Sequence, residues 1–420
     1  MKDWNWKNIL VSVFLVTVLL VTPAVMVGKG WSIGKSQIYQ GLPQVEIYLK
    51  DATLVEIRES GKEVKYSGND VTITDRYKKT KFDNVTVKGR GNATWNQDKK
   101  PLQLNFNRKV DLLGLGERRK WILLANYYDV TNLRTDAAFY LERMLGEKYA
   151  YSGEFVDLYV DDGYEGLYYL TRAIEIDKSA VDLKSPLGVL VELDNVYGKL
   201  EERYYVSGNG EVFTAKDVVA EDNVDAAMDD FLKDFNILEI AIKQKDYARI
   251  EKVIDVESFA QYFLISEFTA NIDSYFTSVY FYKDGKNDKI HAGPAWDFDR
   301  SFVDGAVAVN DQLTKRADTE EYFERDAQYW QWSKLYSRLI EFPEFEKVVR
   351  KVYMERMAGH KEDFLKYVAS QAEKISQAAT KDSEKWDKED FAQGVEAMLE
   401  WIGARYDYLD REYGPVRIAK

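Results

Sequence analysis

Apolar and polar residues alternate with a period of two along residues 44–110, through VEIYL, TLVEI, DVTIT, NVTVKG and PLQLNF, and this pattern predicts a β-rich first part. Turn signals at Glu59-Ser60-Gly61 and Ser67-Gly68-Asn69 separate the runs. A short apolar run at Lys120–Asn126 follows. Asp129 or Thr131 then caps a helix through about Leu145, with Ala137, Ala138, Leu141 and Leu145 on one face. Glu154–Val160 and Gly166–Ile176 read as a strand pair turning at Asp161-Asp162-Gly163, and Val189–Leu193 as one more strand. Past Asp194 the texture becomes helical, with helices expected over 224–243, 256–270, 331–342, 346–377 and 384–413. The last carries Phe391, Val395, Met398, Ile402, Tyr406 and Leu409 at intervals of three or four, a core-facing stripe. The polar stretch 303–322 reads as a loop. The class is α+β, with a boundary near residue 195 between a β-rich part (36–195) and a mainly helical one (196–420).

The first 35 residues stand apart. Ile9–Val27 runs for 19 residues without a charge, long enough for a membrane helix, and the small-residue pattern of signal cleavage is poor around Val27-Gly28-Lys29-Gly30. The reading is an uncleaved anchor, with a cleaved signal and a secreted chain as the alternative. Lys2 and Lys7 before the run and Lys29 and Lys35 after it barely discriminate orientation, and the short N-terminal tail favours an extracytoplasmic domain.

Composition removes several chemistries. No cysteine is present, which excludes disulfides and thiolate catalysis, and only His291 and His360 could supply imidazole, too few for a multi-histidine zinc site. A net charge of −13 argues against nucleic acid as partner. Carboxylates, lysines and hydroxyls are left to carry any reaction.

They gather at residues 271–302. Asp273 lies twelve residues before Gly285 and Asp297 twelve residues after it, while SVYFY and KIHA read as antiparallel strands reversing at Asp284-Gly285-Lys286. That hairpin brings both carboxylates to one end, where a pair of acids holds a divalent cation and accepts a proton from a nucleophile. No GxGxxG or GxxxxGK[ST] fingerprint accompanies them.

Arg90-Gly91-Asn92-Ala93-Thr94-Trp95 with Lys99-Lys100-Pro101, then the run Lys120–Asp129 (KWILLANYYD) with Leu133-Arg134, then Gly293–Asp299 (GPAWDFD), together resemble the spore-coat CotH kinase family, from about Leu42 to the C-terminus. The resemblance implies a two-lobed protein-kinase-like fold, β-rich N-lobe and helical C-lobe. It also implies ATP-dependent phosphorylation of protein hydroxyls with Mg²⁺ or Mn²⁺, on coat or surface proteins. By that resemblance Asp273 orients the acceptor hydroxyl and takes its proton, and Asp297 holds metal, with Asp299 secondary. Lys99 or Lys100 reaches the phosphates, with Arg90 a second cation and Glu192 a contact to adenine or ribose. Asn126, Asp129 and Arg134 read as structural. The family's usual Asn five residues after the catalytic aspartate is Ser278 here, a weaker metal ligand. A second reading is therefore a catalytically silent surface-assembly module that binds protein or polysaccharide. Glycoside hydrolysis by two carboxylates is a third.

Overall fold

The computed structural model describes residues 41–302, 308–319, 322–325 and 328–415, so the uncharged run Ile9–Val27 lies outside the described residues. Among the described residues no helix is long and apolar enough to cross a membrane.

Within Gln40–Lys420, which forms one compact unit, seven strands close a barrel in the order β1-β2-β3-β4-β5-β7-β6. These are β1 (Gln44–Tyr48), β2 (Lys65–Thr74), β3 (Lys79–Gly89), β4 (Leu102–Asp111), β5 (Glu117–Leu124), β6 (Gly153–Val160) and β7 (Gly163–Arg172). Parallel pairing of β1 with β6, from Gln44↔Asp157 to Ile47↔Val160, completes the closure. The period-two pattern fixes what points inward: Leu102, Leu104 and Phe106 of β4 fill the barrel with Trp121, Leu123, Tyr168 and Leu170. β5 and β7 are buried on both faces, since Ile122, Leu167 and Tyr169 join a second core outside the barrel. Continuous burial is why Lys120–Asn126 shows an apolar run and no alternation.

Two local expectations change and a third holds. TLVEI is not a strand: Thr53 and Glu56 form a capping box, with Glu56 N–H donating to Thr53 Oγ1 at 3.2 Å and Thr53 N–H to Glu56 Oε2 at 2.6 Å, and Leu54–Glu59 is helix α1. Only Ile57 of that helix is buried, so nothing pulls the segment into the sheet. Ser67-Gly68-Asn69 lies within β2 as an irregularity of register, with Gly68 at φ +84° and Asn69 Nδ2 donating to Tyr66 O and Val85 O. The β6–β7 hairpin does turn at the expected place, Val160↔Gly163, with Asp161 and Asp162 both left-handed at φ +48° and +65°, the signature of a two-residue type I′ turn.

Helix α2 (Arg134–Leu145) packs on the outside of the barrel. A second sheet of order β12-β11-β8-β10-β9 follows, from β8 (Gly188–Leu193), β9 (Tyr205–Val206), β10 (Val212–Val218), β11 (Val279–Asp284) and β12 (His291–Ala292). The expected boundary near 195 falls inside this sheet, between β8 and β9. The remaining helices are α3 (Val224–Lys243), α4 (Tyr247–Val253), α5 (Val256–Thr269), α6 (Leu313–Thr319), α7 (Leu335–Leu339), α8 (Pro343–Arg356), α9 (Lys361–Trp386) and α10 (Phe391–Glu412). Thus 331–342 shrinks to α7, and 346–377 divides at Gly359, whose φ of +82° interrupts a helix. The stretch 303–322 is not all loop: the N–H groups of Leu313 and Thr314 at the start of α6 donate to buried Glu267, 2.9 and 2.8 Å, supplying that helix terminus with an anion.

The hairpin of β11 and β12 forms, but Phe281↔Ala292 and Tyr282↔His291 put the reversal beyond Gly285, in a loop longer than the predicted turn. Asp288 accepts from Asp284 N–H at 3.0 Å within it. β11 spends its other edge on β8, from Val279↔Leu193 to Asp284↔Gly188.

Candidate active site

Helix α5 begins at Asp255, whose carboxylate accepts from Ser258 N–H at 2.8 Å, and ends where Ala270 turns left-handed at φ +48°. The chain then makes a tight turn over 271–277 before β11. Asp273 sits in that turn, 8% exposed, its carbonyl accepting from Phe276 and Thr277 N–H, both at 3.1 Å. Asn271, two residues earlier, donates from Nδ2 to Asp297 O at 3.2 Å and so ties this turn to the segment after β12. The end of β8 holds the other side: Thr277 Oγ1 donates to Asp194 at 2.9 Å, and Asn195 N–H to Phe276 O at 2.8 Å.

Asp297 is itself left-handed, φ +66°, and Ser278, also left-handed, donates from Oγ to Asp297 Oδ2 at 3.1 Å. Both acids line one polar cavity of about 360 Å³ together with Asp299, Arg90, Glu192, Tyr280 and Lys216. Asp297 opens to the solvent of this cavity, yet protein crowds it elsewhere, and that desolvation raises its carboxyl against the attraction of Arg90 and the Ser278 hydrogen bond. Asp299 is pushed well above the carboxylate range, first by burial and then by the charges of Asp297, Asp273 and Asp129. Arg90 lies over the Trp296 ring, 5.4 Å from its centroid; burial pulls its guanidinium down while Asp297, Asp299, Tyr280 and Glu192 oppose the loss of charge. The neighbouring Gly91 needs its hydrogen: φ is +82°, and a Cβ would fall 2.6 Å from Thr94 Oγ1.

The structure therefore brings Asp273, Asp297, Asp299, Ser278, Arg90 and Glu192 to one cavity, and leaves both predicted lysines outside it. Lys99 is fully buried; its Nζ donates to Leu167 O at 2.6 Å and pairs with Asp382 of α9 at 2.7 Å. Lys100 donates to Trp95 O and lies over the Trp95 ring, lining a different depression with Arg58 and Trp386. Neither lysine is placed to reach phosphates in the cavity.

The cation that pairs with Glu192 is Lys216, at 2.5 Å, while Tyr280 Oη donates to the same carboxylate at 3.1 Å. Sequence reasoning missed Lys216. The register of β10 on β8 shifts between Ala215 and Asp217, so Lys216 is the extra residue of a bulge, and bulges re-aim side chains in a way alternation does not register. Arg134 closes the site from behind, donating from its guanidinium to Asp299 O at 3.0 Å and from its N–H to Asp129 at 2.8 Å.

Among the described residues no three carboxylate or imidazole groups converge into a metal cage. The donor set nonetheless fits Mg²⁺ or Mn²⁺ as carried by a nucleotide, because such ions take one or two carboxylates and complete their shell with phosphate oxygens and water. Asp297, with Ser278 beside it, supplies those oxygens, and the mutual repulsion raising Asp299 is the excess negative charge a cation would relieve. A family model described as CotH kinase protein matches residues 87–409 of the chain. No curated protein matches it.

Proposed function

The chain belongs to the CotH kinase family, and from that membership we propose that it is an ATP- and divalent-metal-dependent protein kinase acting on Ser or Thr hydroxyls of coat or surface proteins. The observation that carries the reading is the shared cavity: acids 24 residues apart in sequence, Asp273 and Asp297, face the guanidinium of Arg90 and the Lys216–Glu192 pair. Asp273 has the task of orienting the acceptor hydroxyl and taking its proton. Arg90 and Lys216 supply positive charge to the phosphoryl oxygens, the office that Lys99 and Lys100 cannot perform from their positions. Asp297, helped by Ser278, holds the cation, which when bound neutralises charge on the nucleotide phosphates. Glu192 keeps Lys216 extended toward the cavity. On this reading Ile9–Val27 anchors the chain in a membrane, with the catalytic part outside the cytoplasm.

Incubating the full chain with radiolabelled ATP tests the proposal. Asp273→Asn is expected to lower incorporation by about 10²–10⁴-fold, and Asp297→Ala to abolish it. Equal labelling by the parent and Asp297→Ala would end the kinase reading. The competing reading, a silent assembly module, is favoured by Ser278 in place of asparagine; it predicts no rise in melting temperature with nucleotide plus Mg²⁺.

A further inference from the structure

Behind the Asp297 segment lies a carboxylate pair that the chemistry above does not use. Glu142, in the last turn of α2, is fully buried, and each of its oxygens takes a backbone N–H: Oε1 from Ala295 at 2.6 Å, Oε2 from Tyr151 at 2.9 Å. Glu147, just past the helix end at Gly146, accepts from Tyr149 N–H through Oε2. Its Oε1 has no hydrogen-bond partner and faces Gly293, where an added Cβ would sit 2.9 Å away. The two glutamates thus press on both ends of Gly293–Ala295, two residues ahead of Asp297.

We infer that Glu142 is a positioning residue for Asp297, working as the ionised half of a singly protonated pair with Glu147. The inference rests on the kinase reading for its catalytic consequence, though not for its structural one. Two buried carboxylates whose charges act on each other do not both ionise without cost. Burial is the leading cause raising each; Glu142 is pushed up to about 7, and the charge of Glu142 raises Glu147 further. The cations in reach are Arg143 of α2, Lys148 of the following loop and Arg172 of β7, and they oppose that rise. Arg143 and Arg172 spend donors on the carbonyls of Tyr151, Tyr149 and Ala150, which helps fix the loop carrying Glu147. From α5 and β11 the facing titratable groups are Tyr262 and Tyr282, both held neutral by burial. Glu142 keeps the charge because two N–H donors converge on it, and Glu147 keeps the proton because one of its oxygens lacks any donor. A second ionisation drives the two apart and loosens the backbone that presents Asp297.

The test uses the full chain with 5-fluorotryptophan incorporated and Trp296 assigned by Trp296→Phe; Trp296 packs 6.0 Å from Phe139 and 5.5 Å from Tyr151, between the pair and Asp297. The parent is expected to show a ¹⁹F shift of Trp296 and a falling kcat only as pH climbs above the range in which Glu142 ionises, where Glu147 loses its proton. Glu147→Gln, which fixes the protonated form, flattens both curves. Glu142→Gln, which trades an anion for an amide, lowers kcat by about 10- to 100-fold with KM for ATP nearly unchanged. Identical alkaline behaviour in parent and Glu147→Gln, by rate and by ¹⁹F shift, would overturn the inference, as would a parental rate in Glu142→Gln. A parent without phosphotransfer sinks the kinase reading alone; the Trp296 resonance still decides the positioning claim.

Discussion

Replacing Lys99 by methionine distinguishes a structural lysine from a phosphate-binding one. In the folded chain its ammonium meets Asp382 at 2.7 Å, Leu167 O at 2.6 Å and the Tyr168 ring at 4.8 Å from its centroid, and it has no contact with solvent. Methionine preserves the apolar stem but leaves Asp382 with Lys388 at 3.2 Å and the N–H of Leu167 at 2.9 Å. Removing one member of a buried pair costs about 3–5 kcal/mol, and these surviving partners place Lys99→Met at the low end, about 3 kcal/mol. Lys99→Met/Asp382→Asn should recover little of that, since the amide oxygen still accepts from Leu167 but Lys388 loses its carboxylate and keeps the Asn126 carbonyl at 3.0 Å. Urea unfolding of the full chain reads the stabilities, and the nucleotide-induced melting shift reads binding. A pH series adds a second signature. Burial pulls the Lys99 ammonium down to about 7, below its value in the unfolded chain, so the unfolded state binds more protons between that point and the ordinary lysine range. The contribution of Lys99 to stability therefore rises with pH across this window, and the parent should gain on Lys99→Met as the buffer becomes alkaline. An unchanged unfolding midpoint combined with lost nucleotide binding would refute the reasoning and return Lys99 to the phosphates.

Lys216→Met should weaken nucleotide binding by about tenfold or more, one charge-assisted contact, and lower the urea midpoint as well, because buried Glu192 is left with Tyr280; isothermal titration with ATP and Mg²⁺ measures the binding. Gly166→Ala should destabilise by about 2–4 kcal/mol, because φ is +126° and the new Cβ lands 2.3 Å from Asp382 Oδ1, inside the same buried pair; a chemical melt suffices. Raised carboxyls at Asp297 and Asp299 mean that stability is lost as pH climbs through their folded-state range, and a divalent cation substitutes for the missing protons. The melting gain from Mg²⁺ should hence be larger near pH 8 than near pH 5, and vanish in Asp297→Ala.

Periodicity disclosed most of the architecture where one face of an element meets water. β4 alternates because Gln103 and Asn105 lie on the opposite side from Leu102, Leu104 and Phe106, and α10 shows its stripe because only one side packs. Legibility failed where a local device outweighed the pattern. TLVEI has strand texture, and the Thr53–Glu56 box makes it a helix. The long run 346–377 has unbroken helical texture, and Gly359 breaks it. Barrel closure was beyond reach for a different reason: the β1–β6 pairing joins residues more than a hundred positions apart, and edge strands carry no mark of their partner in their own sequence.

The site divides along the same line. Its acids were readable because a chain reversal sets their meeting place, and a turn even several residues longer than expected still returns the chain to the same end of the strands. Its lysines were not, because a lysine's role depends on which distant element receives it. Lys99 and Lys100 stand beside a recognisable motif, yet α9 contributes Asp382 from 283 residues away and captures the first, while the carbonyl of Trp95 captures the second. Lys216 stands in the undistinguished run TAKDV, and a single extra residue in β10 turns it onto Glu192. A carboxylate pair tied by a hairpin is a short-range property of the chain; an ion pair across a bulge is a property of the finished fold. In this protein the Asp273 and Asp297 side of the proposed active site is thus written locally and the Lys216–Glu192 pair is assembled by tertiary packing, so substitutions that shift β10 by one residue should disable the cavity without touching any of its acids.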